Sequence, residues 1–145
     1  MNWDEYLMQL AQLVATKSKD QSTKAGCVIV GPNNEIRSTG FNGFPRRIDE
    51  TDPARWERPT KYQFVEHAER NAIYNAARHG AALDGCTAYI TGDPCADCAR
   101  GLIQAGIQVI VIPTDNPFRQ RADWQASCSN ARAMLREAGV TIMEI

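Results

Sequence analysis

The chain has 145 residues, enough for one ordinary domain that buries its own core without disulfide staples. A net charge of −1 with 23% charged residues argues against a general nucleic-acid partner, which needs a basic excess, while a small phosphorylated ligand needs only one or two basic side chains. The start, MNWDEYLMQL, is acidic rather than basic-then-apolar, and no apolar stretch nears the roughly 20 residues of a bilayer span, so a cytoplasmic protein with no membrane contact is expected.

Trp3, Tyr6, Leu7, Leu10, Leu13 and Val14 recur at spacings of three and four, which predicts a helix over 3–16 with that stripe inward. Residues 17–24 are polar and read as a loop. The apolar, β-branched run 25–31, the Pro32-Asn33-Asn34-Glu35 turn and the run 35–41 predict a hairpin. Residues 41–59 contain three prolines and many charges and read as a long loop, a kind often tied to function. Helical pattern returns over 66–79 and stops at Gly80. A strand at 86–91, a helix at 95–105 between Pro94 and Gly106, and a continuous apolar strand at 107–112 follow. A helix across 121–138 and a strand at 140–144 end the pattern. The order α-β-β-α-β-α-β-α-β predicts a layered α/β domain over 1–145, with parallel strands in its second half.

Five cysteines, an odd number, do not suggest a disulfide framework. Cys27 and Cys86 lie in strand-like runs and read as small buried hydrophobes, and Cys128 as an unreactive helical thiol. Cys95 and Cys98 form the one close pair. Alone, that pair fits a redox motif or half of a structural zinc site. With His67 about 25 residues upstream it becomes a three-ligand set, and three protein ligands with an open fourth position mark catalytic zinc. Imidazole and two thiolates suit zinc better than magnesium or calcium. Both ligand groups fall at predicted helix starts, where the dipole favours thiolates. Glu69, two residues beyond His67, suits a proton shuttle next to zinc-activated water; its alternative reading is a first-turn carboxylate that favours the dipole.

His-Ala-Glu followed by Pro-Cys-Ala-Asp-Cys is the known signature of zinc nucleobase deaminases. On this motif the chain resembles the cytidine and deoxycytidylate deaminase superfamily, and within it the dCMP deaminases. The resemblance runs from about Ala15 to Ile112. It includes Lys17-Ser18-Lys19-Asp20, Gly40-Phe41-Asn42-Gly43-Phe44-Pro45, Lys61-Tyr62 and Ile103-Gln104-Ala105-Gly106-Ile107. It implies a cytidine-deaminase-like three-layer α-β-α fold with a five-stranded mixed sheet. It implies one catalytic Zn²⁺ held by His67, Cys95 and Cys98, with Glu69 as the catalytic proton carrier.

The resemblance also places Asn42 on the sugar, with Thr23, Lys24 and Ala68 bordering the substrate and Phe44 and Tyr62 walling the site. Asn42 also reads as a turn residue, Lys24 as a surface lysine, and Phe44 and Tyr62 as ordinary packing. Relatives respond to dCTP and dTTP, a control tied to a Gly-Tyr-Asn-Gly region; here Phe41 replaces the tyrosine. Some relatives carry a second, structural zinc, but the 46–60 loop has no His or Cys to hold one. Asp93 stands where relatives often have an apolar residue. After the fourth strand, Pro113-Thr114-Asp115-Asn116-Pro117 replaces their phosphate-binding Tyr or Arg, with Arg119 and Arg121 as substitutes.

The implied reaction is hydrolysis of dCMP to dUMP and ammonia, feeding thymidylate synthesis, in a homo-oligomer. The alternatives are deamination of cytidine, deoxycytidine, a modified cytosine nucleotide or another nucleobase, including one in nucleic acid. A non-enzymatic zinc module would not need Glu69 or an open coordination position.

Overall fold

A computed structural model describes residues 1–145. Helix α1 (Trp3–Ala15) opens on a capping box. The Glu5 N–H donates to Asn2 Oδ1 at 2.8 Å, and the Asn2 N–H donates to Glu5 Oε2 at 3.2 Å. Strands β1 (Gly26–Val30) and β2 (Ile36–Phe41) form the expected antiparallel hairpin. Beyond β2 lie two four-residue helices, α2 (Pro53–Trp56) and α3 (Lys61–Phe64), within and just after the stretch read as a loop. Helices that short show no periodicity in the sequence. Then come α4 (Ala68–His79), β3 (Thr87–Ile90), α5 (Ala96–Gln104) and β4 (Val109–Ile112). A 3-10 turn (Pro117–Gln120), α6 (Ala122–Glu137) and β5 (Thr141–Glu144) complete the chain.

The five strands form one mixed sheet in the order β2-β1-β3-β4-β5. β1 is antiparallel to β2 and β3, while β3, β4 and β5 run parallel through the α5 and α6 crossovers. Side chains alternate across the sheet. Val28, Val30, Tyr89 and Val111 meet Leu7, Met8 and Ala11 of α1 on one face. Cys27, Ile29, Ile90, Ile110 and Ile112 meet Ala72, Leu102 and Leu135 of α4, α5 and α6 on the other. The architecture is therefore the three-layer α-β-α arrangement anticipated above. No helix is long and apolar enough to cross a membrane.

The face of α1 corrects the sequence reading. Leu7, Met8, Ala11 and Ala15 are buried, whereas Trp3, Tyr6 and Leu13 are 56%, 42% and 64% exposed. The cause is a close approach to β1. A Cβ at Gly26 would lie 2.1 Å from the Ala11 carbonyl oxygen, so alanines take the contact line; of the expected stripe Leu7, Leu10 and Val14 still pack inward, while Trp3, Tyr6 and Leu13 turn outward. A second close approach seats α4 on β2. A Cβ at Gly40 would stand 2.3 Å from the Ala72 nitrogen and 2.4 Å from the Ala68 oxygen. Helix α4 ends as expected at Gly80, whose φ of 74° is the left-handed cap that glycine adopts without strain.

Candidate active site

The N-termini of α4 and α5 converge beside the end of β3. A backbone bridge fixes the first: the Glu66 N–H donates to the Gly43 carbonyl at 2.8 Å, and the Gly43 N–H returns a bond at 3.1 Å. His67 is the N-cap of α4, yet its side chain caps nothing and is free to serve elsewhere. Cys95 is the N-cap of α5, and its sulfur accepts the Cys98 N–H at 3.5 Å. His67 Nδ1 lies 3.4 Å from both the Cys95 and the Cys98 sulfur. Zinc bonds of about 2.3 Å to sulfur and about 2.0 Å to nitrogen, at tetrahedral angles, would separate S and N by about 3.5 Å. Both nitrogen–sulfur edges thus already have the length of a zinc site, and the three donor atoms, all within 4.8 Å of one another, form a cluster able to hold a metal. The ligating nitrogen of that set is Nδ1.

The charges agree. The Cys95 thiol is pulled down to about 4 by the hydrogen bond from Cys98 and by His67. Cys98 is pushed well above the usual thiol range, because its sulfur bonds to Cys95 and is buried. One thiolate forbids its neighbour, so a bound dication is what permits both to ionise. At His67 burial opposes the imidazolium, but the Cys95 sulfur and the Glu69 carboxylate outweigh it and raise the pKa. Glu69 lies in the first turn of α4 and is 5% exposed. Burial raises its carboxyl pKa, against the downward pull of His67. A carboxyl poised in this way can both take and give a proton.

These groups open into a cavity of about 290 Å³. Thr23, Asn42, Tyr62, Ala68 and Glu69 line it with His67 and Cys95. Two other anticipated residues lie elsewhere. Lys24 Nζ donates to the Ser18 carbonyl and braces its own loop. Phe44 stacks on Trp56 with ring centroids 4.2 Å apart and on Phe64 at 5.4 Å, in a separate groove. Asn42 has protein partners as well. Its Nδ2 donates to the Thr23 carbonyl at 2.8 Å and its Oδ1 accepts the Ala25 N–H at 2.8 Å, so it holds the 20–25 loop against the pocket.

Several lining residues were not legible beforehand. Lys61, 6% exposed, donates to Asp20 at 2.7 Å and to the Ser22 hydroxyl at 2.9 Å. Burial works against the Asp20 carboxylate, but Lys61 and the Ser22 and Thr23 N–H groups overcome it and hold its pKa below the usual range. Phe118 packs on Gly92, where a Cβ would lie 1.9 Å from the ring, and its centroid is 6.1 Å from that of Trp124. Trp124 in turn stands 5.6 Å from the His67 ring. Lys61 showed only as a motif residue, and Phe118 and Trp124 had no pattern of their own.

Asp93, which precedes the Pro94-Cys95 turn, is 5% exposed and carries a carboxylate. It accepts Arg119 Nε at 2.8 Å and Arg132 Nη2 at 2.8 Å. The same two arginines reach Glu144 of β5 at 2.6 and 2.9 Å. The Ala96 N–H adds a bond to the Ser127 hydroxyl at 2.9 Å. The ligand turn is thereby tied to α6 and β5. Arg119, one of two suggested phosphate contacts, is engaged in this network, while Arg121 borders the cavity.

Residues 1–114 match the family model described as the cytidine and deoxycytidylate deaminase zinc-binding region. A deoxycytidylate deaminase of Mus musculus is 37% identical over 97% of this chain and 78% of its own length. An uncharacterised deaminase of Aliivibrio fischeri is 38% identical over 97% of this chain and 91% of its own. The crystal structure of the dCMP deaminase from cyanophage S-TIM5 in complex with dCMP and dUMP superposes with a TM-score of 0.79 at 26% identity. It covers 97% of this chain and 95% of that one. The His67, Cys95 and Cys98 set lies within the matched zinc-binding region, and the chain belongs to the zinc-dependent cytidine and deoxycytidylate deaminase family.

Proposed function

We propose that the protein deaminates dCMP hydrolytically, giving dUMP and ammonia and so feeding thymidylate synthesis. The observation that carries this reading is the buried Glu69 carboxyl next to a zinc-spaced His67-Cys95-Cys98 set inside one cavity. The substrate follows from the names of the relatives: deoxycytidylate deaminases, one of them solved with dCMP and dUMP.

His67, Cys95 and Cys98 would hold the zinc, which supplies a Lewis acid that activates water at neutral pH. Glu69 does the proton work. It accepts the proton that the attacking water gives up and places it on ring N3 beside the reacting C4. It then transfers the second proton to the amine as the C4–N bond breaks and ammonia leaves. Phe118 and Trp124 wall the cavity near His67 and keep bulk water from the base. Ala68 and Tyr62 border the substrate. Thr23 and Asn42 stand at the sugar, where Asn42 Oδ1 keeps a second lone pair beyond its bond to Ala25.

Residues 1–145 act as one deaminase domain in this reading, in the cytoplasm, where free thiols persist; all five cysteines are unpaired. A groove beside the site carries Arg46, Arg47 and Arg78 with Phe41, Phe44 and Tyr74, a composition that suits a dCTP or dTTP effector. The exposed Trp3, Tyr6 and Leu13 on α1 supply apolar surface for a homo-oligomer.

The test is ammonia release by the zinc enzyme from dCMP, CMP, deoxycytidine, cytosine and single-stranded DNA. A dominant rate on dCMP is expected. Faster turnover of cytosine or DNA would overturn the assignment.

A further inference from the structure

Part of the cavity wall comes from two segments with little structure of their own. Residues 18–25 form neither helix nor strand. Residues 61–64 form α3, a helix of four residues that is too short to hold its place unaided. Yet Asp20, Thr23 and Ala25 of the first segment and Lys61 and Tyr62 of the second all line the cavity, together with Asn42. An ion pair joins the two segments. Lys61 Nζ donates to Asp20 Oδ2 at 2.7 Å and to the Ser22 hydroxyl at 2.9 Å.

Asp20 passes this anchor on to the residues around it. Its Oδ1 accepts the Ser22 and Thr23 N–H groups at 2.9 and 3.2 Å and the Ser22 hydroxyl at 3.1 Å. Its Oδ2 accepts Asn42 Nδ2 at 3.5 Å besides Lys61. Asn42 Nδ2 donates in turn to the Thr23 carbonyl, so the Thr23 backbone is held at both its N–H and its carbonyl. The Ser18 hydroxyl accepts the Asp20 N–H at 3.2 Å and donates to the Asn42 carbonyl at 2.9 Å. Both charged groups of the pair are buried. A buried ion pair adds little stability over an apolar pair of equal volume, but it holds only in a narrow geometry. Here that geometry belongs to the wall that a substrate meets. The proton transfers assigned to Glu69 and the metal set make no use of it.

We propose that Lys61 is a positioning residue for the substrate: through Asp20 it fixes Thr23 and Asn42 against the α3 segment, so that this binding wall is formed before the ligand arrives. The assignment rests on the deaminase reading above, with Thr23 and Asn42 at the sugar, and does not depend on a phosphate. A preformed wall holds the bound substrate and the transition state alike, so its loss shows in KM rather than in kcat. Lys61 uses two of its three N–H donors within the protein, and direct contact of the third with the substrate is the rival role.

The experiment measures kcat and KM for dCMP and for deoxycytidine in the zinc-loaded wild type, Lys61→Met, Asp20→Asn and the double variant. Each single variant is expected to raise KM about tenfold for both substrates, with kcat within about threefold and the zinc retained by metal analysis. The double variant has lost both charges, so its KM should match the single variants and not multiply to a rise of about a hundredfold. Ser22→Ala, at an exposed position, removes the hydroxyl between the pair without threatening the fold, and should raise KM about threefold for both substrates. A KM within about twofold of wild type in every variant that folds, Ser22→Ala among them, overturns the assignment. A rise for dCMP alone, present in Lys61→Met and absent in Asp20→Asn, overturns it in favour of direct contact. A wild type that prefers cytosine or DNA overturns the dCMP reading, and the Lys61–Asp20 coupling is then read with the preferred substrate.

Discussion

Replacing Asp93 by alanine tests whether the C-terminal elements hold the metal turn. The carboxylate accepts two guanidiniums at 2.8 Å each and is itself 5% exposed. Removing one partner of a buried ion pair costs about 3–5 kcal/mol. Here Arg119 and Arg132 are 29% and 24% exposed and keep Glu144 at 2.6 and 2.9 Å. Solvent and the surviving carboxylate reduce the loss to about 2 kcal/mol. For a domain of this size that is a fall of about 4–8 °C in Tm. Because the next residues are Pro94 and Cys95, the loosened turn should also release zinc about tenfold faster to a colorimetric chelator. Thermal unfolding of the zinc enzyme and the chelator assay read the two effects separately. A Tm within 1 °C of wild type together with unchanged zinc release would refute the clamp. Glu144→Gln should show the same pair of effects at smaller size, since Glu144 is 35% exposed and Asp93 remains.

Glu69→Gln is expected to keep one zinc per chain by metal analysis and to lose about 10²–10⁴ in kcat; loss of the metal would instead make Glu69 a structural residue. Zinc removal by chelation should abolish turnover, and added Zn²⁺ should restore it; turnover by the chelated protein would refute zinc dependence. The Asp20 carboxyl has a folded pKa below its ordinary value, so its contribution to stability is present above about pH 4 and lost as pH falls through the folded value. Lys61→Met takes away the ammonium that offsets burial. The acid limb of its stability curve should therefore shift to higher pH, and an unchanged limb in an acid titration would refute the pairing. Lys24→Ala should leave KM for dCMP within about twofold, since its ammonium bonds the Ser18 carbonyl away from the cavity.

Elements with a long period or a continuous apolar run were legible from the sequence: α4, α5, α6, the hairpin and β4 all stand close to their expected bounds. So was the metal set, because three ligands, one imidazole and two thiols, at fixed offsets from two helix starts leave few arrangements. The face of α1 was not legible. Hydrophobicity placed Trp3 and Leu13 inward, but the missing side chain at Gly26 selects alanines for the contact, and a close approach leaves no periodic trace. Lys24 and Lys61 show the same limit from another side. Both are lysines near a motif, and only the fold decides that one meets a backbone carbonyl and the other the carboxylate of Asp20. Arg119 and Arg121, two residues apart, likewise part company because one meets Asp93 and the other borders the cavity.

The contact between Gly40 and α4 bears on how finely the metal site is gauged. His67 and Glu69 ride on α4, whereas the two cysteines ride on α5, so the spacing within the ligand set depends on where α4 rests. It rests on β2 backbone to backbone, at the place where a single methyl would sit 2.3 Å from the Ala72 nitrogen. Ordinary contact needs more than about 3.4 Å, so Gly40→Ala would lift the helix by roughly an ångström, and metal sites tolerate only about 0.2 Å. The strand thus acts as a calliper whose jaw is an absent atom, and the zinc affinity of the enzyme becomes a reading of sheet-to-helix distance.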